Sequence, residues 1–484
     1  MPGRSGDKKM VGSQSIKKRI AVIGGGITGL SAAFYLQKAC RDRGISAQIS
    51  LFEAETRLGG KIDTEVHDGF VMEKGPDSFL ARKQAGVQLV KELGLENDLV
   101  RNHTGQAYIL HQGKLIPIPE GAVMGIPTRL SPFVTTPLFS LTGKLRAAGD
   151  LFLPRHATDT DLSVGRFFRD RLGDEVVNHL IEPLLSGIYA GDIDQLSLQA
   201  TFPQFAQMEQ KYRSLILGLK QTRPRTKGNQ KPLGMFLTLK KGLKSLVAAL
   251  EQQLHDVSIQ KGIRLGQIVQ ENTGYTITFQ DGHKDQADLI VMAVPHAVVE
   301  KAFPRHGFLQ HRRDVPSTSV ATVLLAYNEE AVRIPYEGTG FVVPRREPAT
   351  ITACTWTHKK WPHTAPKGKA LLRCYVGRAG DDAIVDEPDD VIIKRVTKDL
   401  QHVMGIRSSP IFSRITRWKQ AMPQYIVGHA DWLRSLETQL RTRLPSVFLA
   451  GSSYRGIGLP DCIQQGKQAA EQVMQSLDET SPLG

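Results

Sequence analysis

Cysteine is scarce in this chain. The 484 residues hold four, Cys40, Cys354, Cys374 and Cys462, and no two stand in a CxxC spacing. That argues against a disulfide framework and a thiolate zinc site, and leaves four small thiols of the ordinary packing kind. Long apolar runs are missing too: none approaches the ~18 consecutive residues that a membrane-spanning helix requires. Met1–Lys18 is polar and basic, without the apolar stretch of a secretory signal. The expected compartment is therefore the cytoplasm, with residues 1–16 an expected disordered tail. No repeat with a period of roughly 20–50 residues is visible. The net charge is +14, but the basic residues are scattered and no helix-turn-helix or RNP signature accompanies them. Nucleic acid is not an expected partner; a polyanionic small substrate, or a weak contact with a membrane surface, is.

What is present is a globular balance, 40% apolar and 23% charged, over a length that implies two or three domains. Arg19–Ile23 is an apolar run typical of a buried parallel strand. Gly24–Gly29 follows, then Leu30, Ala33, Phe34 and Leu36 at helical spacing, then a second strand, Ala47–Phe52, closed by Glu53. This is one βαβ unit. Asp288–Val294 and Ser446–Gly451 read as further strands of the same sheet, the latter leading into a helix from about Cys462 to Leu477. The sheet is thus assembled from distant segments with domains inserted between them. The first insertion, about 70–232, has mixed helical periodicity, a Pro-rich part (Ile116–Leu153) and an exposed loop, Arg223–Pro232. The second, Phe303–Phe412, carries β-like runs (Ala321–Tyr327, Leu371–Val376) that predict an antiparallel sheet flooring a substrate domain.

Gly24, Gly26 and Gly29 form GxGxxG between strand and helix. The first allows the tight turn, the second lets a pyrophosphate reach the backbone, and the third lets helix and strand pack closely. The helix start offers unpaired N–H groups to the anion, with Gly25, Ile27 and Thr28 completing the cradle. Glu53 is placed to accept hydrogen bonds from ribose hydroxyls. NAD and FAD both fit this much. The extension Glu53–Lys61 then resembles the glycine doublet of amine oxidase-like flavoproteins: Gly59 and Gly60 permit close approach, Arg57 and Lys61 can neutralise a diphosphate, and Ala54 lies between. Gly75, Pro76, Asp77 and Ser78 read as a turn able to lie against the isoalloxazine. Far downstream, Gly451–Asp461 is a Gly-rich clasp in which Gly456, Ile457, Gly458 and Leu459 aim N–H groups and a helix start at the flavin, with Pro460 and Asp461 suited to a helix entry. Trp418 can flank the flavin, and Leu265, in Gly262–Leu265, can serve the adenine side.

From about residue 17 to 477 the chain resembles the bacterial oxygen-dependent porphyrinogen oxidases, FAD enzymes of haem biosynthesis whose Gram-positive form acts as coproporphyrinogen III oxidase. The likeness is carried by IGGGITGL (23–30), GGKI (59–62), EKGPDSFLARK (73–83), LIEPLLSGIYAGD (180–192), TACTWTHKKWPH (352–363), RWKQAMPQY (417–425) and GIGLPDCIQQGK (456–467). It implies an α/β fold: a Rossmann-like FAD-binding domain of the amine oxidase superfamily (17–68, 237–300, 413–477), an inserted α+β substrate domain (69–84, 111–120, 182–236, 301–412), and a mostly helical, membrane-type domain (85–110, 121–181). It further implies that Lys83 stands at the substrate entrance, Ile188 packs over the tetrapyrrole and Tyr375 lines the cavity.

The implied reaction is the FAD- and O2-dependent, six-electron oxidation of coproporphyrinogen III to coproporphyrin III, with no protein acid or base and no metal. Four propionates on that substrate suit a basic pocket, for which Arg82, Lys83, Arg345 and Arg373 are candidates. Product hand-off to a ferrochelatase is a further expectation. The alternatives are protoporphyrinogen IX as substrate, an amine oxidase or carotenoid desaturase, and a flavin-free binding protein of the GDP-dissociation-inhibitor kind.

Overall fold

The computed structural model describes residues 17–103, 105–123, 125–127, 130–157, 160–222, 234–310 and 317–480. The expected tail, 1–16, and the expected loop Arg223–Pro232 lie outside the described residues.

Five strands build a parallel sheet: β1 (Lys18–Ile23), β2 (Ala47–Glu53), β3 (Val257–Lys261), β4 (Leu289–Met292) and β5 (Val447–Leu449), in the order β3-β2-β1-β4-β5. Helices cover one face, and a three-stranded antiparallel sheet (Leu265–Glu271, Gly274–Phe279, Lys284–Ala287) with further helices covers the other, which explains why β1 and β4 read as unbroken apolar runs; all four residues of β4 are buried. Helix α1 (Ile27–Arg43) joins β1 to β2, and α2 (Leu459–Thr480) follows β5. These two helices pack so closely that a Cβ on Gly466 would sit 2.3 Å from the Thr28 carbonyl oxygen. Leu30, Leu36, Leu51, Val291 and Val473 are shared in one core. Strand β3 was not legible in the sequence: it is an edge strand, buried only at Val257.

The predicted antiparallel sheet is present and has seven strands. Their order is Phe412–Pro423, Ser317–Asn328, Lys369–Val376, Ile351–Trp356, Gly340–Val342, Tyr108–His111, Lys114–Pro117. All neighbours are antiparallel except 340–342 against 108–111. Residues 413–423 therefore pair in this sheet, while the later part of 413–477 supplies β5 and α2 of the parallel one.

Short helices between residues 130 and 222 enclose a third core around Phe167, Phe168, Leu180 and Phe205. Arg171 crosses it, 1% exposed, with Nε 2.6 Å from Asp150 and a terminal nitrogen 3.2 Å from Glu209. Charges so deeply buried persist only when paired in this way. No described helix is long and apolar enough to cross a membrane.

Candidate functional site

The turn after β1 is held by the Gly24 N–H, which donates to Phe52 at 2.8 Å. A Cβ on Gly29 would lie 1.9 Å from the Gly24 oxygen, so only glycine closes this turn against the helix. At Gly26 the opposite holds: a Cβ there meets nothing within 4 Å. Open space therefore lies before the start of α1. That start has no side-chain cap and no acidic residue in its first turn. Its N–H groups and partial positive charge are free for an anion. Beside it, Glu53 (9% exposed) accepts the Gly25 N–H at 2.6 Å and the Glu55 N–H at 2.8 Å. Both carboxylate oxygens keep lone pairs for ribose hydroxyls.

The doublet loop is tied to the same turn, with the Gly59 N–H on Gly25 oxygen at 2.8 Å. Ala54 is half-buried at the end of β2. Arg57 donates to the carbonyls of Leu58, Gly60 and Ile62 at 3.3, 2.8 and 3.1 Å, and the Lys61 ammonium to Ala421. These two cations hold the loop at the mouth of the cleft. Next to Glu53, the Ile263 N–H bonds the Glu53 carbonyl at 2.9 Å, which brings the strand beginning at Leu265 to the outer edge of the cleft.

The Gly75–Ser78 turn is fixed from several sides. A Cβ on Gly75 would collide with the Lys61 carbonyl oxygen at 1.8 Å. The Trp418 indole donates to Lys74 oxygen at 3.0 Å, and the Arg373 guanidinium to the Gly75 carbonyl. Pro76 follows, and Asp77 pairs with Lys360 at 2.8 Å while accepting from Ser78 at 2.7 Å. Burial raises the Asp77 pKa, but Lys360 and Arg373 more than offset it and hold the carboxyl below its ordinary range. Neighbouring Glu73 goes the other way: burial pushes it up to about 7, although Leu243 N–H and the Thr64 hydroxyl donate to it.

The clasp is tied by Gln465, a residue sequence reasoning missed. It accepts the Gly451 N–H at 3.2 Å and donates to Arg455 and Gly456 oxygens at 2.5 and 3.4 Å. The signal was a buried polar side chain on the inner face of α2, four residues after Asp461. The Tyr425 hydroxyl holds Ser452 oxygen at 2.6 Å. A Cβ on Gly451 would lie 3.7 Å from Thr28 Oγ1. The beginning of the chain's first helix and the clasp some four hundred residues later thus meet at one cleft. Gly456, Ile457 and Gly458 lead from there into Leu459, the first residue of α2.

Three further candidates approach from other elements. The Lys83 ammonium sits 2.6 Å from both Asp461 oxygens, at the foot of α2. Ile188, 45% exposed, adjoins Tyr189, whose ring contacts Tyr425 of the clasp. Tyr375 lies under the Arg373 guanidinium, 4.9 Å from its ring centre. Of the cations proposed for propionates, Arg373 is buried on Gly75, and Arg345 pairs with Glu182 at 3.3 Å and bonds Ala379 oxygen at 2.9 Å. Both are committed to protein partners. Arg82 is exposed. His296, buried between the Tyr454 hydroxyl and Leu309 oxygen, is a packing histidine. Among the described residues no cluster of His, Cys, Asp and Glu is fit for a metal.

The geometry suits a flavin dinucleotide: an uncapped helix start for the diphosphate, an acid for a ribose, and a glycine clasp opposite. Residues 27–474 match the family described as flavin-containing amine oxidoreductase. The chain is 50% identical over 461 residues to coproporphyrinogen III oxidase of Bacillus subtilis (strain 168), covering 95% of this chain and 98% of that one. It is 43% identical over 468 residues to coproporphyrinogen III oxidase of Staphylococcus aureus (strain NCTC 8325 / PS 47), covering 95% and 100%. A crystal structure from Exiguobacterium sp. 255-15, carrying the name protoporphyrinogen oxidase, superposes with a TM-score of 0.86 at 41% identity, covering 95% and 99%.

Proposed function

Since the chain belongs to the flavin-containing amine oxidoreductase family and to its coproporphyrinogen III oxidase group, we propose that it oxidises coproporphyrinogen III to coproporphyrin III with FAD as cofactor and dioxygen as acceptor. The observation that carries the substrate assignment is 50% identity sustained over almost the whole of both chains. When bound, FAD supplies a two-electron acceptor that takes a hydride from a bridging methylene of the porphyrinogen and passes the electrons to dioxygen, giving hydrogen peroxide in each of three cycles.

The protein's part is to bind, orient and keep dry. The N–H groups at the start of α1 hold the diphosphate and Glu53 a ribose. The clasp N–H groups and the start of α2 would stabilise the negative charge that the reduced flavin carries. Gly75–Ser78, backed by Trp418, forms the opposing wall. Lys83 meets a propionate, Ile188 packs on the tetrapyrrole face and Tyr375 lines the cavity. The pyrrole proton leaves to water, so no side-chain base is required. In domain terms, 17–68, 237–300 and 413–477 serve the cofactor, and 69–84, 111–120, 182–236 and 301–412 the substrate. The helical unit comprises the short helices between residues 130 and 222, which share one core, whereas residues 99–101 and 108–111 of the expected helical segment 85–110 are strands. A weak membrane-surface contact of that unit is supported by Val134, Leu141, Leu145 and Phe152, all exposed apolar side chains. A metal-inserting enzyme of the ferrochelatase class consumes the product.

The test is to mix the purified yellow protein with coproporphyrinogen III in air and follow porphyrin fluorescence and peroxide. Coproporphyrin formation with about three peroxides per porphyrin is expected. A colourless protein, or a yellow one that forms no porphyrin, overturns the reading. The name of the Exiguobacterium relative favours one second reading, protoporphyrinogen IX as the preferred substrate.

A further inference from the structure

Lys83 and Asp461 lie at opposite ends of the chain, yet the ammonium is 2.6 Å from each carboxylate oxygen. Lys83 caps the helix Gln84–Glu92, and Asp461 stands in the first turn of α2, just past the clasp. The two helix starts touch: a Cβ on Gly86 would be 3.3 Å from Pro460. Asp461 packs against the clasp, where a Cβ on Gly456 would lie 2.8 Å from Asp461 Cβ. Lys83 is the mobile partner, an ammonium on a flexible four-carbon stem. Among the described ion pairs Asp461 has no other cation and Lys83 no other acid. The side chains are 39% and 27% exposed, so water and an incoming anion can reach them. The same carboxylate lies within electrostatic reach of Tyr189, the neighbour of Ile188.

Two facts make this pair more than a surface contact. On the flavin reading above, an unpaired carboxylate in the first turn of α2 would oppose reduction of the cofactor, and Lys83 would cancel its charge. A half-exposed ion pair is also a weak one, because solvent screens it and two side chains must be held in register. A substrate carboxylate competes for such a lysine on nearly equal terms.

We propose that Asp461 is a specificity residue that acts as an internal stand-in for a substrate propionate. It holds Lys83 in the empty cleft and yields it when a carboxylate of the tetrapyrrole arrives. This rests on the porphyrinogen reading above. Binding of an acid at that corner then exchanges one carboxylate partner of Lys83 for another, so the competition falls on acidic ligands alone. Asp461 thereby lowers the affinity for ligands that carry an acid at that corner and leaves ligands that lack one unaffected, so it tempers the pull of Lys83 on an anion.

The experiment is a fluorescence titration of the FAD-loaded protein with coproporphyrin III and with its tetramethyl ester. Asp461→Asn frees Lys83 and is expected to bind the tetra-acid about three- to fivefold more tightly than wild type, the range set by a half-exposed pair. Lys83→Met weakens the tetra-acid and leaves the ester unmoved, and the Asp461→Asn gain vanishes in the Lys83→Met background. Unchanged or weaker binding of the tetra-acid by Asp461→Asn, or a gain that survives without Lys83, overturns the proposal. If Asp461→Asn fails to fold, Lys83→Met alone decides: equal loss of acid and ester, or loss of neither, contradicts it. Wild-type protein that is yellow but binds no coproporphyrin III contradicts the porphyrinogen reading instead, so the two failures are distinguishable.

Discussion

The indole nitrogen of Trp418 donates to the carbonyl oxygen of Lys74 at 3.0 Å, which fastens the edge strand of the antiparallel sheet to the turn that faces the parallel one. Thr322 donates to the same oxygen at 2.9 Å, so two adjacent strands converge on one backbone atom. Trp418→Leu keeps the apolar contact and removes one donor. Flavin affinity is expected to fall roughly tenfold, the effect of about 1–1.5 kcal/mol from one hydrogen bond, with little change in the melting temperature of the apoprotein. Titration of apoprotein with FAD measures it.

Two glycines of the same turn, Gly26 and Gly29, are expected to respond in opposite ways. Gly29→Ala places a methyl 1.9 Å from a backbone oxygen, and overpacking of that kind costs about 1–3 kcal/mol. Gly26→Ala places it in open space at φ −71°. It leaves the apoprotein as stable as wild type and fills the room meant for the diphosphate. Melting curves of the two apoproteins, read beside their flavin content, separate the cases.

Glu53→Gln retains the shape of the side chain and loses its charge. It keeps one acceptor for the two N–H groups of Gly25 and Glu55 and turns an amide donor toward the other. Charged hydrogen bonds contribute about 1.5–3 kcal/mol, so FAD is expected to bind at least tenfold more weakly. Isothermal titration of the apoprotein checks this.

Glu73 gives the protein a pH signature. An unfolded glutamate titrates near 4.5 and folded Glu73 at about 7, so the folded state holds the proton more tightly. The group costs nothing below the unfolded value; the cost grows as pH rises toward about 7 and is constant above it. Glu73→Gln cannot ionise and escapes this cost. Its melting temperature relative to wild type is expected to rise between about pH 5 and about pH 8, an effect on the order of 3 kcal/mol or less. A difference that is flat with pH, or that falls, contradicts the assignment.

The parts legible in the sequence were those whose signal is local. Ile20–Ile23, Gly24–Gly29 and Leu30–Leu36 state a buried strand, a glycine turn and a helix within twenty residues, and the structure holds that strand, turn and helix. The clasp was legible because its glycines precede an amphipathic helix. The strand 412–423 was not, because its residues are half-buried or exposed and show no alternation. Long-range pairing was not legible either. Arg345 and Arg373 look like free cations until Glu182 and the Gly75 carbonyl are folded against them. The three loop carbonyls that Arg57 bonds are likewise invisible in its spacing. Charge chemistry can be read from composition; its partners are set by topology.

The measurement that bears most directly on the central claim is kcat/KM for coproporphyrinogen III and for protoporphyrinogen IX, taken side by side on the FAD-loaded protein in air-saturated buffer. A higher value for the tetracarboxylate substrate, reduced selectively by Lys83→Ala, is the predicted result. A higher value for protoporphyrinogen IX, unaffected by that substitution, would contradict the account.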